Sequence, residues 1–228
     1  RKGLLYEKDN ATWFKASSVG LKKDRVYIKK SGEPTYRVPD TAYHKNKVDR
    51  GFDLIIDIFG TDHADAYPDV ICALNALEYK TDHIKVLLYQ FVTLLKNGKK
   101  LKMSTRKANF VTMDELIKEV GSDVIRYFFI MRSMNTHLDF DINVAKDQSE
   151  KNPVYYLQYA YARISSILRR ADDIKVNLSE SDQYKRLSHT TEIYLLKHMI
   201  IFPAVIKNCL ESFEPQSIAN YLQELANR

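Results

Sequence analysis

Between Lys96 and Lys107 the chain carries six cations (Lys96, Lys99, Lys100, Lys102, Arg106 and Lys107) and no acid. Inside that run, Lys102-Met103-Ser104-Thr105-Arg106-Lys107 sets an ammonium, two small hydroxyls and further cations within six consecutive positions. Such a group suits a triphosphate. Charge that builds on β and γ phosphates as pyrophosphate departs needs cations and donors that meet it in the transition state. Lys102 can supply a point charge, Ser104 a small donor, and Arg106 or Lys107 a second cation. A solvated basic loop would carry the same charges, so the surroundings decide between the two.

Those surroundings alternate between strand and helix. Asp24 to Lys30 reads as a strand and Ser31-Gly32-Glu33-Pro34 as a turn. A short helix then opens near Pro39, with Asp40 at the positive end of its dipole, and stops at Gly51. Asp53 to Phe59 is a short β-branched apolar run, as expected of a strand buried on both faces, and it ends in Gly60-Thr61-Asp62-His63. A helix over about Ala64 to Leu77 and a single strand over Ile84 to Leu95 complete the pattern. Alternation of this kind predicts a parallel sheet with right-handed crossovers. Ligands gather at the carboxyl ends of such strands, where Asp62, His63 and the basic run all fall.

Past Asn109 the text is helical. Thr112-x-x-Glu115 is a capping box whose helix Gly121 closes, and a second helix follows over about Ser122 to Arg132. Asp139-Phe140-Asp141 is expected to open a long helix in which Pro153 marks a kink or restart, and whose Tyr155, Tyr156, Tyr159, Ile164, Ile167 and Leu168 fall near helical spacing. His189 to Phe213 reads as a further helix bent at Pro203, and Pro215 opens the last.

Composition bounds the rest. A length of 228 residues suits two modest domains, and 45% apolar with 28% charged residues is ordinary globular usage. No run approaches about 20 uncharged apolar residues, so no membrane segment is expected. The net charge of +6 permits a polyanionic partner without requiring one. Cys72 and Cys209 stand apart without CxxC partners and read as buried thiols. His44 and His83 lack metal-ligand spacing, so no metal site is expected.

Leu101 to Phe110 resembles the KMSK signature of class I aminoacyl-tRNA synthetases, in a KMST-R form where Thr105 replaces the second lysine. That lysine's role would pass to Arg106 or Lys107. Other stretches look like the arginyl-tRNA synthetase family in particular: Tyr36-Arg37-Val38-Pro39-Asp40-Thr41-Ala42-Tyr43-His44, Gly60-Thr61-Asp62-His63, Asn109-Phe110-Val111-Thr112, Met131-Arg132-Ser133 with Leu138-Asp139-Phe140-Asp141, and Asn152-Pro153-Val154-Tyr155-Tyr156-Leu157-Gln158-Tyr159-Ala160. The resemblance implies the second half of a Rossmann-like catalytic domain over residues 1–138, then part of a helical anticodon-binding domain over 139–228.

It also implies roles. Lys102, Ser104, Arg106 and Lys107 would be catalytic. Lys102, Met103, Ser104, Thr105 and His63 would bind ATP, which brings Mg²⁺. Tyr36, Asp40 and Asp62 would bind L-arginine, Asp40 pairing with the guanidinium as fork to carboxylate. Tyr155, Tyr156, Tyr159 and Arg163 would face tRNA(Arg), although packing in a helical core is the favoured use of most of these tyrosines. Asp62 could instead cap the turn that follows it. A monomeric cytoplasmic enzyme is the expected setting. The family's HIGH signature does not occur in this sequence, so the chain by itself is expected not to aminoacylate. A basic RNA-binding module without catalysis is the alternative, and it would ignore arginine and ATP. A cysteinyl enzyme would be expected to hold zinc through cysteines that this chain does not gather.

If the lysine acts in the transition state, Lys102→Ala in the complete enzyme should lower the rate of arginine activation far more than arginine affinity. Rapid-quench rates set beside binding titrations would read the difference. Lost affinity at an unchanged rate contradicts the assignment.

Overall fold

The computed structural model describes residues 3–101, 111–175 and 186–227. The chain forms two compact units that meet between Phe91 and Val92.

The first unit opens with an antiparallel meander of β1 (Leu5–Lys8), β2 (Ala11–Phe14) and β3 (Arg25–Ile28). Asp9 and Asn10, both in the left-handed region, turn β1 into β2. This hairpin went unread in the sequence, because strands of four residues are too short to show a period. Helix α1 (Arg37–Asp49) follows, then the parallel pair β4 (Ile55–Gly60) and β5 (Ile84–Tyr89), joined through α2 (Tyr67–Ala76). Phe14, Ala16, Cys72 and Ala73 form the buried core of this unit. The expected burial of β4 on both faces is not met. Ile55 and Asp57 are buried, whereas Ile56 and Ile58 point outward, Ile58 at 64% exposure. An unbroken apolar run cannot reveal that only one of its faces is covered.

The second unit is built on β6 (Val92–Lys96), paired antiparallel to the two-residue β7 (Lys99–Lys100) and parallel to β8 (Leu138–Asp141). Ile84 to Leu95 is therefore two strands in different sheets, broken at Gln90-Phe91, and not one. Asp139-Phe140-Asp141 lies in a strand, and its last residue caps a helix of only five residues, accepting from Asn143 N–H, so the long helix expected to start here is not found. Leu138 and Phe140 both turn into the core, a period of two that three residues alone do not display.

Helices α3 (Met113–Val120) and α4 (Ser122–Ile130) follow β7, and the five-residue α5 (Ile142–Lys146) follows β8. The capping box forms as expected: Glu115 N–H donates to the Thr112 hydroxyl and Thr112 N–H to the Glu115 carboxylate. Those Thr112 donors hold the Glu115 carboxyl below its ordinary pKa. Lys146 and Lys96 both donate to Glu119, which ties α5 and β6 to α3 and likewise lowers that carboxyl's pKa. Helix α6 (Pro153–Asp173) begins at Pro153, a restart rather than a kink. Buried Asn152 caps it, accepting from Val154 N–H while its amide donates to the carbonyls of Ala145 and Asp147.

Thr190–Ser212 is apolar and long enough to reach membrane-span hydropathy (1.4), which the sequence reading did not anticipate. It folds as α7 (Thr190–Ile200) and α8 (Phe202–Ser212), parted at Ile201. Eleven residues make about 16 Å, half of a bilayer core. Helix α9 (Gln216–Ala226) packs with α8 and α6, and its buried Tyr221 stacks on His198 with ring centres 4.6 Å apart.

The core of the second unit gathers Leu94, Leu116, Ile125, Phe128, Leu138, Phe140 and Val154. Phe140 is 0% exposed and meets Phe128 edge to face at 5.3 Å. Phe140→Ala should cost about 3–5 kcal/mol of stability. Urea unfolding that shows less than about 1 kcal/mol would place the centre of the core elsewhere.

Candidate functional site

The site residues of the first unit assemble around α1. Two buried carboxylates clamp that helix to its neighbours. Asp69, in the first turn of α2 and 1% exposed, takes the Arg25 Nε–H across both oxygens at 2.9 and 2.8 Å and the Arg37 Nε–H at 2.7 Å. This joins β3, the first residue of α1, and α2. Asp57, in mid-β4, takes His44 Nε2 at 2.9 Å on one oxygen and the Lys47 ammonium on the other, so the strand grips the middle of α1. Charges withdrawn from water persist only when paired in this way.

Asp40 lies between the two clamps, in the first turn of α1. Its side chain is exposed and has no hydrogen-bond or ion-pair partner among the described residues. It lines a cavity of 170 Å³ together with Tyr43, His44, Lys47, Asp57 and His63. That is smaller than the roughly 300–1,000 Å³ of drug-sized ligand sites and suits a single head group. His63 ends the short 3-10 turn Thr61–His63 after β4 and stacks on Phe59 at 5.4 Å. Asp40 and His63 are thus brought together.

Tyr36 and Asp62 are not among the residues lining this cavity. Tyr36 precedes α1 at 88% exposure. The Asp62 carboxylate folds back over Gly60, where an added Cβ would lie 2.5 Å from it and push the side chain aside. Asp62 makes no capping bond to the turn. A larger cavity of 450 Å³ in the same unit is lined by Leu4, Leu5, Phe14, Tyr27 and other residues without formal charge.

Lys102, Met103, Ser104, Thr105, Arg106 and Lys107 lie outside the described residues. The elements flanking them are described: Leu101 N–H donates to the Leu94 carbonyl, and Thr112 begins α3. On α6, Tyr155 and Tyr159 are substantially exposed, and Arg163 donates to the Tyr159 hydroxyl at 3.2 Å and sits over its ring. Tyr156 instead turns toward α9, its hydroxyl donating to the Ala226 carbonyl. Of the tyrosines singled out, Tyr155 and Tyr159 are thus exposed and Tyr156 is half-buried. Among the described residues no three His, Cys, Asp or Glu side chains gather into a group that could hold a metal. Burial raises the Cys72 thiol pKa, in keeping with an inert buried cysteine.

Asp57, Lys47, Asp69 and Arg25 were not singled out from the sequence. The available signal was an acid inside an apolar strand (Ile55-Ile56-Asp57-Ile58) and another on the apolar side of a helix start (Pro68-Asp69-Val70). Each would need a cation once buried.

Residues 58–156 match the family model for class I tRNA synthetases (M), and residues 157–228 match the DALR anticodon-binding domain. These matches and the fold define a class I aminoacyl-tRNA synthetase sequence, a catalytic-domain portion followed by anticodon-binding helices. The chain is 50% identical over 224 residues to the arginine–tRNA ligase of Salinibacter ruber, covering 98% of this chain and 40% of that protein. It is 49% identical to that of Desulfotalea psychrophila, covering 100% and 42%. A Campylobacter jejuni structure assigned as an arginyl-tRNA synthetase superposes with a TM-score of 0.84 at 34% identity, over 99% of this chain and 49% of that one. The Thermus thermophilus arginyl-tRNA synthetase shares the fold, with a TM-score of 0.78 at 20% identity over 99% of this chain and 47% of that one. Over nearly its whole length the chain is thus similar to one part of the arginine–tRNA ligases. It spans about two fifths of the length of the curated relatives it matches.

Removing the carboxylate that joins β3, α1 and α2 should loosen the first unit. Asp69→Ala should cost about 3 kcal/mol, the low end for a buried pair because both guanidiniums keep partial access to water. Urea denaturation would detect it, and a change below about 0.5 kcal/mol would mean the arginines find other partners.

Proposed function

We propose that this chain supplies the arginine-recognising and triphosphate-binding part of an arginine–tRNA ligase. In the reaction, the carboxylate of L-arginine attacks the α-phosphate of ATP, and pyrophosphate leaves. The arginyl group then passes to a ribose hydroxyl of the terminal adenosine of tRNA(Arg). The observation that carries this reading is the unpartnered Asp40 carboxylate at a head-group-sized cavity, in a chain similar to part of such ligases. A planar cation entering there meets a carboxylate whose neighbour Asp57 is already occupied on both oxygens, so Asp40 is the acceptor left for it. Tyr36 and Asp62 would complete the arginine pocket.

Lys102, Ser104, Arg106 and Lys107 would stabilise the departing pyrophosphate, with Met103, Thr105 and His63 about the nucleotide. Mg²⁺ would enter on the phosphates of ATP. Tyr155, Tyr159 and Arg163 would meet tRNA on the exposed side of α6, since an aromatic face beside a guanidinium suits a base. The complete enzyme would act as a cytoplasmic monomer.

In the complete ligase, Asp40→Asn should weaken arginine binding by about 2–5 kcal/mol. Calorimetric titration with L-arginine in the presence of tRNA reads this directly. Undiminished affinity removes Asp40 from the pocket. A chain whose relatives bound RNA but neither arginine nor ATP would favour the non-catalytic alternative.

A further inference from the structure

An acceptor for a planar cation such as Asp40 has to be aimed at it. Asp40 has no side-chain partner among the described residues, so a group that aims it acts through its backbone or the cavity wall. The carbonyl of Asp40 faces His44 Nδ1 at 2.8 Å. The other ring nitrogen, Nε2, faces the Asp57 carboxylate at 2.9 Å. A carbonyl oxygen and a carboxylate oxygen can only accept. The ring thus sits between two acceptors, one on each nitrogen, and the Lys47 ammonium lies 3.5 Å from Nε2. The second oxygen of Asp57 takes the Lys47 ammonium, which also lies over the Tyr43 ring at 4.8 Å. His44 and Asp57 are both buried, at 8% and 5% exposure.

A chain of contacts thus runs from mid-β4 through an imidazole to the main chain of the residue at the cavity mouth. Nothing in it reaches the ligand's reacting atoms. The groups around the ring agree with that use. Tyr43, Lys47 and Asp40 come from α1, Asp57 from β4, His63 from the turn after β4, and Tyr67 from α2. The only acids among these residues are Asp57, which is occupied, and Asp40, which is free.

We propose that Asp57, acting through His44, is a positioning residue that fixes the Asp40 backbone and so aims its carboxylate at the incoming guanidinium, while Lys47 keeps Asp57 from competing for that cation. This rests on the arginine-binding reading of Asp40, and the experiment separates the two. In tRNA-dependent pyrophosphate exchange by the complete ligase, His44→Gln keeps one donor and loses the bridge. It should raise KM for arginine about tenfold, with kcat and KM for ATP changed far less. Asp57→Asn should do the same. Because both act through Asp40, adding either change to Asp40→Asn should leave KM no worse than Asp40→Asn alone.

If Asp40→Asn weakens arginine binding and His44→Gln does not, the positioning role is overturned and the functional reading stands. If Asp40→Asn is without effect, the functional reading itself fails. A His44→Gln protein that unfolds, or that loses kcat and ATP affinity along with arginine affinity, marks His44 as structural and also overturns the proposal. Should Asp57→Asn fail to fold, His44→Gln decides alone.

Discussion

A carboxylate out of water has to be met at once by cations, and it holds whatever carries them. The first unit uses this constraint twice. Asp69 takes Arg37 at the first residue of α1, and Asp57 takes His44 and Lys47 about two and three turns further along. The helix is thereby fastened at its start to α2 and β3 and along its length to β4. Asp40 falls between the two fastenings. The two satisfied carboxylates are structural, and Asp40, without a side-chain partner among the described residues, faces the cavity. An apolar interface could hold the helix as firmly, since buried pairs seldom add net stability. It would not fix rotation about the helix axis in the same way, because dispersion contacts are less directional than hydrogen bonds.

The second unit does comparable work with neutral groups. Asn152 uses both ends of its amide, one to start α6 and one to hold the carbonyls that close α5. The Asn143 carboxamide accepts from Asn97 N–H and donates to the Asn97 side chain, which pins the β6–β7 turn to α5. Thr112 and Glu115 do the same for the start of α3. The basic run of Lys96 to Lys107 thus leaves from a hairpin fixed on one side and the chain re-enters at a capped helix on the other.

Much of this was legible in the sequence where local rules decide. The capping box at Thr112, the stop at Gly121, the Pro215 start and the β4–α2–β5 alternation all follow from residues a few positions apart. What failed needed distant partners. Nothing local says that Ile84 to Leu95 breaks at Gln90-Phe91, because the break exists to let β6 pair with β8 more than 40 residues away. For the same reason Phe140 read as a helix start. In the site, Asp40 could be assigned only through family resemblance, since its own text shows no more than an acid in a first turn. Asp57 was visible as an oddity, an acid in an apolar strand, but its partners His44 and Lys47 lie 13 and 10 residues upstream, on a different element.

Helix α6 has a mechanical consequence. Twenty-one residues at about 1.5 Å each make a rod of some 31 Å. Its first turn is gripped by Asn152, by Tyr156 toward α9, and by Gln223 donating to the Pro153 carbonyl. The Tyr159–Arg163 pair stands further along the rod. On such a lever a tilt of about 5° at the grip displaces the far tip by roughly 3 Å, about the length of a hydrogen bond. The accuracy with which the outer end of α6 is presented is therefore decided at three polar contacts near its beginning.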